Sequence, residues 1–280
     1  MVFHALQHAG VPLLELKQPM RQHEQSGIYR FAADLRNGIV TFPPVASNRL
    51  SDCPDCALEE SNDPDRLTEL WQQAGGVGAG IVLCPVKPGS LGVDNINRTL
   101  QKTVGLDRPP LLYLDPDRGF MPWITSDGLR LLKGDPVLVI KNSYDKDADV
   151  RNGDLGILED VADQSSDAEH FGTLKMADGR KIEVDVDLLG KLGLGYAITI
   201  HKSQGSQWDT CFITLPTNAS HMIDQSLLYT AVTRAKTRVL LFGDPRLIEK
   251  GVRRGPASLE RVTTLAARIR HLTSLRMRSC

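Results

Sequence analysis

The stretch Gly195-Tyr196-Ala197-Ile198-Thr199-Ile200-His201-Lys202-Ser203-Gln204-Gly205-Ser206-Gln207-Trp208-Asp209 decides how the rest of the chain is read. Tyr196 to Ile200 is a short apolar run rich in β-formers, and it passes directly into a polar cluster ending at Gly205. That pattern predicts a buried strand delivering a loop to its carboxyl end, the place where open α/β sheets bind ligands. Thr199, His201, Lys202 and Ser203 put several hydrogen-bond donors close together, and Gly205 lets backbone approach a phosphate or a ribose. A loop of this kind suits polyanions.

Outward from it, residues 211–215 and 238–243 predict two further strands, with a helix between them from about Asp224 that carries Leu227-Leu228-Tyr229-Thr230-Ala231-Val232-Thr233-Arg234-Ala235-Lys236. A last helix, capped by Ser258, has Val262, Leu265, Ala266, Ile269 and Leu272 on one stripe. Towards the amino terminus, a short strand at 11–16 precedes Met20-Arg21-Gln22. A helix from Ser26 then runs through Ile28, Phe31, Ala32 and Leu35 to Asn37-Gly38. Residues 41–64 read as an acidic, solvated loop, followed by a short helix at 66–74. Residues 80–85 predict a buried strand, and Val93, Ile96 and Leu100 mark one face of the next helix. Between 133 and 192 the character changes: short strands joined by Asn152-Gly153 and Asp178-Gly179 turns imply a small β-barrel. The expected class is therefore α/β, a parallel sheet flanked by helices and interrupted by that barrel.

Composition excludes disorder and a membrane protein: 41% of the residues are hydrophobic and 24% charged. No apolar run approaches the ~20 residues of a spanning helix, and Met1-Val2-Phe3-His4 lacks the features of a signal peptide, so a cytoplasmic location is expected. Net charge is −1, but residues 246–280 hold nine Lys/Arg against two Asp/Glu, so a local basic surface can still hold phosphates. Cys53-Pro54-Asp55-Cys56 has no second pair to complete a zinc site and reads as reduced thiols. Asp145, Asp147 and Asp149 hint at a calcium loop, but Val150 and Gly156 stand where a glycine and a glutamate are required.

Residues 196–206 resemble motif V of superfamily 1 DNA helicases of the RecD-like branch, and residues 227–236 resemble their motif VI. The chain is similar over most of its length to the carboxyl-terminal part of such a helicase, with its UvrD-like C-terminal domain. The resemblance implies a RecA-like motor domain over 1–132 and 193–280, with an SH3-like insertion over 133–192. It implies that Arg21, in a motif IV-like setting, and Arg234 reach the γ-phosphate of ATP. Gln204, Gly205 and Gln207 would lie on the nucleotide side, and Thr199, His201, Lys202 and Ser203 on the backbone of single-stranded DNA. Gln207 stands where the family commonly has an acidic residue for the ribose hydroxyl, so the charge-assisted part of that bond is lost.

A motor of this kind also needs a Gly-x-x-x-x-Gly-Lys-Ser/Thr loop and a magnesium carboxylate, and the sequence contains neither. Gly190-Lys191 is followed by Leu192 with no glycine loop before it. ATP and Mg2+ are therefore expected only with an amino-terminal motor domain or a separate subunit carrying the P-loop. The sequence leaves two functions open: the carboxyl-terminal half of an ATP-dependent helicase in repair, recombination or mobile-element processing, or a truncated or split product that binds DNA or a partner without turnover.

Overall fold

The computed structural model of the chain describes residues 6, 25–144, 149–162, 170–256, 264, 267–269 and 271. The strand expected at 11–16, Arg21, most of the calcium-like run and most of the helix expected from Ser258 lie outside these residues.

Helix α1, Gly27–Asn37, buries the stripe Ile28, Phe31, Ala32 and Leu35. Ser26 stands at the N-cap, yet its hydroxyl donates to Asp55 Oδ2 at 2.6 Å, and the Gly27 N–H donates to the same carboxylate at 2.9 Å. Gly38 ends the helix at φ 71°, a left-handed geometry that suits glycine. Strand β1, Cys56–Glu59, corrects the reading of 41–64 as loop throughout. It is four residues long, its first three are buried, and Glu59 pairs with Arg66 at 3.2 Å rather than lying fully in solvent.

The chain continues as α2 (Pro64–Gln73, capped by Asp63), β2 (Gly80–Cys84) and α3 (Val93–Val104). A hairpin that the sequence reading did not anticipate follows, β3 (Leu112–Asp115) with β4 (Gly119–Pro122). Next come β5 (Pro136–Val139), β6 (Ser143–Tyr144), β7 (Asp149–Val150), β8 (Leu155–Val161), β9 (Gly172–Met176), β10 (Lys181–Val184), α4 (Val186–Leu189) and β11 (Leu192–Leu194). The last part is β12 (Ala197–Thr199), a 3-10 turn at Ile200–Ser203, β13 (Trp208–Leu215), α5 (Gln225–Val232), β14 (Ala235–Gly243) and α6 (Arg246–Arg254).

Five strands form a parallel sheet of order β1-β14-β13-β2-β12. Alternate residues of each strand enter different cores: Ile81, Leu83, Ile213 and Leu241 pack with α1, α5 and α6, while Val82, Phe212 and Leu240 pack with α2 and α3. A sheet buried on both faces needs near-continuous apolar strands, as here. The α/β class is as expected. Among the described residues, no helix is long and apolar enough to cross a membrane.

A second sheet is antiparallel, order β10-β9-β8-β5-β11, and stands where the barrel was expected. Gly153 (φ 102°) and Gly179 (φ 89°) take the turn positions read from Asn-Gly and Asp-Gly. A pairing of β10 with β11, which would close this sheet on itself, is not among the strand pairs of the described residues.

Two polar clusters fix the second sheet to the first. Where the chain leaves β11 for β12, the Asn97 amide donates to Ala197 O at 3.1 Å and accepts from the Ala197 N–H at 2.8 Å. Asp135, fully buried just before β5, accepts from Gln101 Nε2 (2.5 Å), Tyr196 Oη (2.7 Å) and the Leu132 N–H (2.9 Å), and pairs with Arg108 Nη2 at 2.6 Å. Burial, then Asp135, pushes the Tyr196 hydroxyl pKa far up, so it stays a donor.

Candidate nucleic-acid and nucleotide interface

The segment between β12 and β13 spans the sheet. Thr199 is level with Cys84 at the carboxyl end of β2, whereas Trp208 is level with Ala235 at the amino end of β14. The eight residues 200–207 therefore cross back over the face covered by α5. This corrects the expectation of one loop at the carboxyl end: Thr199, His201, Lys202 and Ser203 begin there, and Gly205, Ser206 and Gln207 reach the opposite edge.

At the carboxyl end, His201 is exposed, Thr199 and Lys202 are half-buried, and Ser203 is buried with its hydroxyl donating to Ile200 O at 2.7 Å. Ser203 thus shapes the 3-10 turn. Burial lowers the pKa of the Lys202 ammonium, the Lys87 charge lowers it further, and Asp127 opposes both. Lys87 follows β2, the strand beside β12, so both lysines leave the same edge of the sheet. The Asn152-Gly153 turn of the second sheet stands against this place: a side chain on Gly153 would meet Lys202 O at 3.6 Å.

At the amino end, Arg234 leaves α5 and enters β14. Its guanidinium donates to Thr230 O (3.1 Å), Ser206 O (3.2 Å) and Thr233 Oγ1 (3.3 Å), and its carbonyl accepts from the Trp208 N–H at 3.0 Å. Gly205 has φ 94°, and both it and Gln204 are exposed. The structure thus brings Arg234 together with Ser206 and its neighbours Gly205 and Gln207, and it separates this group from Lys202. Gln207 has no hydrogen-bond partner among the described residues and lines a cavity of about 340 Å³ with Trp71, Met176, Tyr196 and Trp208. These residues contain a guanidinium and an amide. They offer no cluster of metal ligands among the described residues.

The family of UvrD-like helicase C-terminal domains matches residues 194–242, which run from the end of β11 to β14 and include both ends of this interface. Residues 194–242 carry a UvrD-like helicase C-terminal domain, in a chain related to the RecD-like DNA helicases. It is 30% identical over 249 residues to the ATP-dependent RecD2 DNA helicase of Deinococcus radiodurans, covering 84% of this chain and 30% of that protein. It is 32% identical over 193 residues to the RecBCD enzyme subunit RecD of Mycolicibacterium smegmatis, covering 68% of this chain and 29% of the subunit. The chain therefore spans about a third of the length of these relatives. Among solved structures, Bacteroides Pif1 bound to single-stranded DNA is similar with a TM-score of 0.49 and 21% identity, over 84% of this chain and 53% of that one.

Sequence reasoning overlooked Lys87, Asp127 and the Asp135 cluster. Lys87 carries a readable signal, a cation two residues beyond a strand-ending proline, but only the strand order places it beside Lys202.

Proposed function

We propose that this chain acts as the carboxyl-terminal half of an ATP-dependent DNA helicase of repair or recombination. In this reading 1–132 and 193–280 make a RecA-like motor domain, and 133–192 an SH3-like insertion. Arg21 and Arg234 respond to the γ-phosphate of ATP, while Gln204, Gly205 and Gln207 face the nucleotide. Thr199, His201 and Lys202 line one side of a single-strand track, with Ser203 setting the turn that presents them. An amino-terminal motor domain or separate subunit would supply the P-loop that holds ATP and Mg2+, and the metal ion would neutralise charge on the phosphoryl group in transfer.

The observation that supports this most is the bond from Arg234 Nη1 to Ser206 O, which ties the end of α5 to the motif V tail. A planar cation held there suits charge developing on a phosphoryl group presented by another domain. A second reading, a binding module without turnover, gains support for the chain by itself. Lys191 Nζ donates to Ser143 Oγ at 3.0 Å and enters an antiparallel strand, so it is no phosphate-loop lysine.

The test has two parts. The chain alone has no DNA-stimulated ATP turnover; robust turnover by it would overturn the half-motor reading. It also binds single-stranded DNA weakly, without sequence preference, and with affinity falling steeply as salt rises. The control removes residues 257–280, which hold five arginines and one glutamate, while keeping α6, whose Leu247, Ile248 and Val252 are buried. If that removal abolishes binding while Lys202→Ala leaves it unchanged, the track is refuted.

A further inference from the structure

Lys202 is not the sole cation at the carboxyl edge of the parallel sheet. β2 and β12 are neighbours, with Thr199 paired to Cys84, and each ends in a short segment bearing a lysine: Lys87 three residues after β2 and Lys202 three residues after β12. The loop carrying Lys87 is held in place. Its Val86 and Lys87 carbonyls accept from the Val93 and Asp94 N–H groups at 3.2 and 3.1 Å, Pro88 O accepts from Asn218 Nδ2 at 3.2 Å, and Gly92 leaves no room for a side chain against Lys87 O and Pro88 O. The Lys202 backbone in turn abuts the Asn152-Gly153 turn.

Neither ammonium has a hydrogen-bond or ion-pair partner among the described residues. The two lie near enough for Lys87 to bear on Lys202, and the carboxylates facing them are Asp127 beside Lys202 and, on α3, Asp94 beside Lys87, one of whose oxygens is buried without a partner. Two like charges brought together by rigid loops, one of them half-buried, are costly unless an anion lies between them.

We propose that Lys87 and Lys202 together grip a single backbone phosphate of the DNA strand, and that Asp127 competes with this phosphate for the Lys202 ammonium. The proposal rests on the strand track described above and adds to it a second contact residue and a built-in competitor. A phosphate between two lysines fixes the strand's position without reading its sequence.

Fluorescence anisotropy with a labelled oligothymidylate at several salt concentrations tests this on the full chain, using Lys87→Ala, Lys202→Ala, the double variant and Asp127→Asn. Each single lysine variant loses affinity about fivefold. Because the salt slope counts phosphates neutralised at about 0.7 each on single strands, the double variant's slope falls by about 0.7, against about 1.4 for two separate phosphates. Asp127→Asn binds more tightly than the parent, a gain that misfolding cannot produce. Lys87→Ala with parental affinity and slope, while Lys202→Ala is weakened, overturns the shared grip and leaves the track standing. Parental behaviour of both lysine variants overturns the track as well. Displacement of the oligonucleotide by ATP in the parent chain, absent in the double variant, would assign the two lysines to nucleotide phosphate and overturn the strand contact.

Discussion

Removing the Arg108 guanidinium by Arg108→Ala leaves Asp135 as a fully buried carboxylate without its cation. Arg108 also holds Gly105 O at 2.8 Å and Lys133 O at 2.9 Å, so it locks the entry to the second sheet. Breaking a buried pair costs about 3–5 kcal/mol, and the three remaining donors to Asp135, from Gln101, Tyr196 and Leu132, place this case near 3. At about 2–4 °C per kcal/mol for a chain of this size, the thermal midpoint falls by about 6–12 °C. Tyr196→Phe, which loses the bond to Asp135 and the longer one that its hydroxyl accepts from Arg108 Nη2 at 3.3 Å, costs about 1.5–3 kcal/mol. Urea titrations of parent, both single variants and the double variant give these values and their coupling. The two changes act on one carboxylate, so they do not add. A loss under about 0.5 kcal/mol for Arg108→Ala, or strict additivity of the pair, would refute the idea that this cluster binds the two sheets together.

Gly38→Ala forces a side chain into the left-handed region at φ 71° and costs about 1–2 kcal/mol, read as a lower urea midpoint, while Gly38→Asn costs less. Lys202 has its folded pKa below the ordinary lysine value, so carrying its proton is a cost to the folded chain at neutral pH, relieved as pH rises through the folded value. Lys202→Met accordingly raises the thermal midpoint at pH 7 while weakening strand binding, and the gain in midpoint shrinks on the alkaline side. In the parent, strand affinity begins to fall at a lower pH than an exposed lysine would give, and Lys202→Met removes that limb.

Much of the framework was legible because strands buried on both faces leave unbroken apolar runs, as at 80–84 and 211–215, and helices ending at Gly38 or starting at Asp224 announce their caps. β1 was hidden because Cys56-Ala57-Leu58 is too short to rise above the acidic residues around it, and its burial comes from pairing with β14, far along the chain. The hairpin β3–β4 was hidden because its residues are half-exposed and show no alternation. In the sequence α6 shows only as part of a basic tail, yet Arg254 Nη1 donates to His221 O at 2.7 Å and Gly251 packs against Leu228 and Ile223. The candidate site was legible as residue types but not as a layout. Only strand register reveals that residues 200–207 cross from one edge of the sheet to the other, parting Lys202 from Arg234. The Asp135 cluster draws on Gln101, Arg108 and Tyr196, positions that nothing in the sequence links.

The half-motor account stands most directly on one measurement, DNA-stimulated ATP turnover of this chain joined to an amino-terminal motor domain that carries a P-loop, compared with the same assembly bearing Arg234→Ala. An arginine acting on the transferring phosphoryl group is worth ~10³–10⁵ in rate. The account predicts a loss of that order in kcat with nucleotide affinity nearly unchanged, since the contact matures in the transition state. Turnover within a few-fold of the parent, or an equal loss of nucleotide binding and rate, would contradict it.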